Sequence, residues 1–144
     1  MTLKILYWLG IAACLLLVIA CFLPWCYYAD ANIVTDAERT FTGFYSYKNS
    51  YGKPGKFLTA ISIIALLLML LPRIWAKRVN LFVCALGVGY AIKEYVLYTS
   101  CYNAYCPEKK AGIFLMLAAT IIMLIASVFP DLQLNKIDKS ESVQ

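Results

Sequence analysis

Four long apolar runs organise this chain, separated by one large aromatic-rich loop and two short polar stretches. No charged residue lies between Lys4 and Asp30, and Ile5 to Leu23 is almost wholly apolar. About 20 such residues wound as an α-helix cross a hydrocarbon layer about 30 Å thick. The same reading predicts spans over residues 5–23, 57–75, 79–98 and 111–130. Pro24-Trp25 ends the first. Pro72-Arg73-Ile74-Trp75 closes the second, with Trp75 and a snorkelling Arg73 extending it at one interface. The third is the least apolar, because Lys93 and Glu94 fall about two-thirds of the way along it. The fourth carries no charge between Lys110 and Asp131, and a polar tail covers 131–144.

The two loops at one end, 24–56 and 99–110, differ in character. Thr40-Phe41-Thr42-Gly43-Phe44-Tyr45-Ser46-Tyr47 is rich in aromatic and β-branched residues, and Trp25-Cys26-Tyr27-Tyr28 and Asn32-Ile33-Val34-Thr35 are also β-compatible. Asp36-Ala37-Glu38-Arg39 can turn the chain between two strands. Asn49-Ser50-Tyr51-Gly52-Lys53-Pro54-Gly55 reads as turns leading into span two. The expected fold is an all-α membrane protein, a four-transmembrane-helix bundle with a small β-hairpin in the first extracytoplasmic loop. A lone hairpin is marginal in water, so this one must pack on the helix ends.

Composition points the same way. The chain has 144 residues, 62% hydrophobic and 15% charged, with no histidine. Soluble domains run nearer about 45–50% apolar and about 25% charged. A chain this short cannot hide the excess in one core of its own. Without histidine, histidine-based triads, HExxH zinc sites and histidine-ligated haem are excluded. No cofactor or metal site is expected. The net charge of +5 is spread among loops, so no basic stripe for nucleic acid forms. The expected partners are the lipid bilayer itself and another membrane protein or a second copy of the chain.

Orientation follows from basic residues and cysteines. Arg73, Lys77 and Arg78 form a dense basic linker without an acid, and Lys4 precedes span one. These favour cytoplasmic termini, although Lys48, Lys53, Lys56, Lys109 and Lys110 lie on the other side. Cys26, Cys101 and Cys106 fall on that other side, where an oxidising compartment would give a disulfide. Cys101 can close a ring with Cys106, or Cys26 can pair with either, and spacing does not choose. Cys14 and Cys84 read as small packing residues.

Several segments together resemble a group of small bacterial four-span membrane proteins with no assigned activity. They are Phe22-Leu23-Pro24-Trp25, Thr42-Gly43-Phe44, Tyr51-Gly52-Lys53-Pro54-Gly55, Arg73-Ile74-Trp75-Ala76-Lys77-Arg78-Val79-Asn80 and Cys106-Pro107-Glu108-Lys109-Lys110-Ala111-Gly112. The resemblance runs from span one to the end of span four. It implies a multi-pass protein of a bacterial inner membrane and carries over no catalytic residue. The layout is also loosely similar to claudin-type tetraspans, without their Trp-Gly-Leu-Trp and paired-cysteine signature.

The candidate chemistry is sparse. Lys93 and Glu94 are intramembrane charge candidates, costing about 2.5–3.5 kcal/mol each at a helix centre. The preferred reading puts them near the interface, with Lys93 snorkelling and Glu94 meeting Lys53 or Lys56. Neighbours on a helix point about 100° apart, which argues against a direct pair. In the alternative reading Glu94 handles a proton or cation. Cys21/Cys26 and Cys101/Cys106 suggest a thiol–disulfide relay, loosely like four-span quinone-linked oxidases, but the low-pKa Cys-x-x-Cys motif is missing. Val18-Ile19-Ala20-Cys21 fits a lipoprotein cleavage box, and the apolar continuation through Trp25 argues against its use. Gly87 and Gly89, with Ala85 and Ala91, suit packing within the bundle. Trp25, Tyr27, Tyr28 and Trp75 are expected as interfacial aromatics, with most of the tyrosines in the same belt. The function expected is that of a non-catalytic structural, assembly or interaction subunit. A thiol oxidoreductase and a transporter or channel subunit using Glu94 are the alternatives.

Overall fold

The computed structural model describes residues 2–29, 35–46, 52–101 and 106–129. The strand expected at Asn32–Val34, the turn at Asn49–Tyr51, Tyr47, Tyr102, Tyr105 and the tail 131–144 lie outside them. Four long helices dominate: α1 (Thr2–Phe22), α3 (Pro54–Leu70), α4 (Ile74–Thr99) and α5 (Ala111–Val128), with a single turn of helix, α2 (Asp36–Arg39), between strands. The strands are β1 (Pro24–Tyr27), β2 (Thr40–Thr42) and β3 (Glu108–Lys109).

The long helices run alternately up and down, and α1 and α4 each pack on both α3 and α5. Among the described residues, three helices are long and apolar enough to cross a bilayer: Lys4–Phe22, Ile74–Thr99 and Ala111–Val128, of 19, 26 and 18 residues. α3, at 17 residues, is shorter. Its start and stop are local chemistry. Pro54 occupies the first turn, where its missing N–H and fixed φ suit a helix start. Pro72 disfavours helical geometry at Leu71, which is extended at φ −79° and ψ 120°. The second apolar helix therefore stops at Leu70 rather than reaching Trp75. Trp75 instead falls in the first turn of α4, 69% exposed, and Lys77 and Arg78 are helical rather than loop.

The interior of the bundle is a seam of small and medium side chains. On α4 the buried positions are Ala76, Asn80, Cys84, Gly87, Ala91, Glu94 and Tyr98, at intervals of three and four, which place them on one face. Gly87 and Ala91 thus serve close packing as expected, while Ala85 and Gly89 point outward. The Ser62 hydroxyl donates to the Cys14 carbonyl at 2.6 Å, tying α3 to α1. The opposite faces of the helices are apolar too: Trp8 and Ile19 on α1, Leu67 on α3, Phe82 on α4 and Ile121 on α5 are all exposed.

One end of the bundle is closed by the sheet, in the order β2-β1-β3 with both pairings antiparallel. β1 pairs with β2 across the helical turn α2, where the sequence suggests only a turn between two strands at Asp36–Arg39. The third strand comes from the second loop and makes Cys26 face Lys109. The register between β1 and β2 shifts between Pro24 and Cys26, so Trp25 has no partner in β2. Such a bulge re-aims a side chain, and here Trp25 and Cys26 are both fully buried although adjacent.

Trp25 is consequently a core residue, enclosed by protein rather than standing on the outer surface of the bundle. Its indole N–H donates to the Ala20 carbonyl at 2.8 Å, and its ring meets Tyr98 edge-on at 5.2 Å between centroids. Two glycines make room for it. A Cβ on Gly43 would stand 2.8 Å from the Cys21 carbonyl oxygen and 2.9 Å from Trp25 Cζ2. One on Gly112 would stand 2.6 Å from the Pro24 carbonyl oxygen. Backbone atoms cannot swing aside, so Gly112→Ala should cost about 1–3 kcal/mol of stability. Gly89→Ala, whose Cβ meets nothing within 4 Å, should be neutral or mildly stabilising. Thermal unfolding of the two variants in detergent, monitored by circular dichroism, makes the comparison.

Candidate functional site

The polar groups with chemical potential collect near the sheet end, around the last turns of α4. Glu94 lies on the buried face of that helix and Lys93 on its flank, with side chains 1% and 63% exposed. The Lys93 ammonium reaches Glu94 Oε1 at 3.0 Å and sits 5.0 Å from the centroid of the Tyr90 ring. The expected pairing of Glu94 with Lys53 or Lys56 is therefore replaced by a bond between sequence neighbours. The 100° separation holds for the Cβ directions. The four-carbon lysine stem is long enough to wrap across it, and Tyr90, one turn back, gives the ammonium a face to rest on. Glu94 Oε2 has no hydrogen-bond partner among the described residues. A buried polar atom left in that state costs about 1–3 kcal/mol.

Aromatic side chains extend from this pair in both directions. The Tyr90 ring packs on Phe57 at 4.4 Å, and Tyr98, one turn beyond Glu94, meets Trp25. Lys109 lies 5.8 Å from the Tyr95 ring and Lys110 5.5 Å from the Tyr27 ring. Of the aromatics expected at an interface, Tyr27 is half-buried and Trp75 exposed, whereas Tyr28 is buried against Phe41, like Trp25 in the core. The spacing along the chain carried no sign of this. Proline and tryptophan closing an apolar run look the same whether the ring faces lipid or turns inward.

The cysteines separate into two kinds. Cys101 and Cys106 form a disulfide beyond the end of α4, beside β3. Cys14, Cys21, Cys26 and Cys84 are free and buried. Of the open pairings, the ring within the second loop is the one present, and Cys26 is not part of it. Burial pushes the Cys26 thiol up to about 12, which leaves almost no thiolate at neutral pH. The Cys84 thiol donates to Asn80 Oδ1 at 3.7 Å, a bond inside one helix. No group of three or more histidine, cysteine, aspartate or glutamate residues suited to a metal ion occurs among the described residues. Comparison of the chain with protein-family models, with curated proteins and with solved structures returned no match.

Two outcomes follow from this geometry. Lys93→Ala should destabilise the protein by about 1–3 kcal/mol, because it leaves the Glu94 charge buried without its partner. Glu94→Gln should cost less, and adding it to Lys93→Ala should recover most of the loss. A double-mutant cycle of melting curves in detergent measures that coupling. Under native conditions Cys14, Cys21, Cys26 and Cys84 should resist iodoacetamide, and Cys101 and Cys106 should react only after reduction. Peptide mass mapping before and after unfolding reads both.

Proposed function

We propose that this protein is a four-span integral membrane protein of a bacterial inner membrane that works as a non-catalytic structural, assembly or interaction subunit. The observation that carries the membrane assignment is the apolar outer face of all four long helices. A helix apolar on every side needs either protein or lipid around it, and a bundle of four cannot surround itself. Its 17 residues would give α3 a length of about 26 Å, at the short end of what spans a bilayer. Lys53 and Lys56 at one end and Arg73 at the other can snorkel to the two head-group layers and make up the difference.

The disulfide supports an extracytoplasmic sheet, since such bonds persist in oxidising compartments. Lys4, Arg73, Lys77 and Arg78 gather at the opposite end, in agreement with a cytoplasmic face there. The non-catalytic reading is supported by what the reactive groups do. The free thiols are buried, the buried acid is held by a lysine, and Ser62, Thr120 and Ser127 donate to helix carbonyls. A thiol relay would need an accessible thiolate. The unpartnered oxygen of Glu94 favours one second reading, proton or cation handling. Unchanged flux in liposomes bearing Glu94→Gln would remove it.

The membrane reading has a direct test. The protein should stay in the pellet after alkaline carbonate washing of membranes. In intact spheroplasts an impermeant maleimide should label Ala29→Cys at the sheet end, and Arg78→Cys only after lysis. Extraction into the supernatant, or the reverse labelling, would overturn the assignment. For the interaction role, in-membrane crosslinking should trap a partner or a second copy. A chain recovered always alone counts against it.

A further inference from the structure

At the sheet end the first turn of α3 meets α4 through the Phe57–Tyr90 contact, with ring centroids 4.4 Å apart. This contact places the start of α3 level with Lys93, one turn along α4 from Tyr90. Three cations therefore share one level of the bundle: Lys93, held over the Tyr90 ring but still 63% exposed, and Lys53 and Lys56, both exposed. Their countercharge is meagre. The first turn of α3 contains no acidic residue, although that is the helix end where an acid is favoured. Among the described side chains at this end, Glu94 is buried and holds Lys93, Glu108 is paired with Lys110 at 3.1 Å, and Glu38 accepts from Thr35. The lysines stand above apolar faces of α3 and α4, with the Phe57–Tyr90 pair at the boundary.

We propose that this α3–α4 seam binds the phosphate of an anionic phospholipid in the outward-facing leaflet. Lys93 is the anchor. Of its three N–H donors one is committed to Glu94, which fixes the ammonium in place and leaves donors free for a phosphate oxygen. Lys53 and Lys56 close on the same anion from the α3 side, and an acyl chain lies against the exposed apolar side chains of α3 and α4 below Phe57. The buried Glu94 thus positions a lysine for lipid rather than acting on a ligand itself. The inference rests on the four-span reading, because only a bundle seated in a bilayer brings these lysines to head-group depth.

Native mass spectrometry of the protein released from nanodiscs of mixed phosphatidylglycerol and phosphatidylcholine tests it. The wild-type chain should retain phosphatidylglycerol several-fold over phosphatidylcholine, a preference lowered on the order of five-fold for each lysine removed. Lys93→Gln gives the largest loss. The Lys53→Gln/Lys56→Gln pair leaves the Glu94 partner in place and serves where Lys93→Gln disturbs the fold. Arg78→Gln, at the other end, should leave the preference unchanged. Equal retention of both lipids, an unchanged preference in the lysine variants, or displacement of the lipid by soluble glycerol phosphate would overturn the lipid site. A protein that never enters the disc would instead sink the four-span reading, and this inference with it.

Discussion

At the sheet end of the bundle one indole ring is enclosed by segments far apart in the chain. Trp25 sits at the bulge between β1 and β2, hydrogen-bonds the last turn of α1 through the Ala20 carbonyl, and meets Tyr98 of α4 edge-on. Gly43 and Gly112 bring the first loop and the start of α5 against it without side chains of their own. The Lys110 N–H donates to the Trp25 carbonyl at 2.9 Å, and the Gly43 N–H to the Cys21 carbonyl at 3.0 Å. The sheet has too few residues to be stable alone. It persists because its central strand is anchored by the largest side chain in the core, and the same ring holds the ends of α1, α4 and α5 in register.

Deeper in the bundle the dominant constraint is the treatment of polar atoms where water is absent. An unpaired hydroxyl or amide is expensive there, and the interior answers locally. Ser62 reaches a carbonyl on the neighbouring helix, Thr120 and Ser127 reach carbonyls on their own, and Asn80 takes the Cys84 thiol. Glu94 departs from this pattern. Half of its carboxylate is satisfied by a lysine that keeps most of its surface outside, and the other half is not satisfied.

Much of the architecture was legible in the sequence, and for a simple reason. The apolar runs mark helices because only a helix satisfies every backbone group within its own segment, and the prolines at 54 and 72 punctuate them through steric effects that need no partner. The β-rich character of residues 24–28 and 40–42 was likewise visible in their aromatic and β-branched composition. Glu108 and Lys109 carry no such signal. Two charged residues become a strand because β1 is there to pair with, so β3 was invisible to local pattern.

What the chain determined by itself is therefore its set of apolar helices, their approximate limits and the supply of cysteine, lysine and tyrosine at one end. The tertiary structure alone decided which of these met. It turned Trp25 inward, chose Cys106 for Cys101 while burying Cys26, and paired Lys93 with the residue next to it. Helix length and apolarity depend on neighbours in sequence. Burial, register and charge pairing depend on distances between segments that only packing brings together.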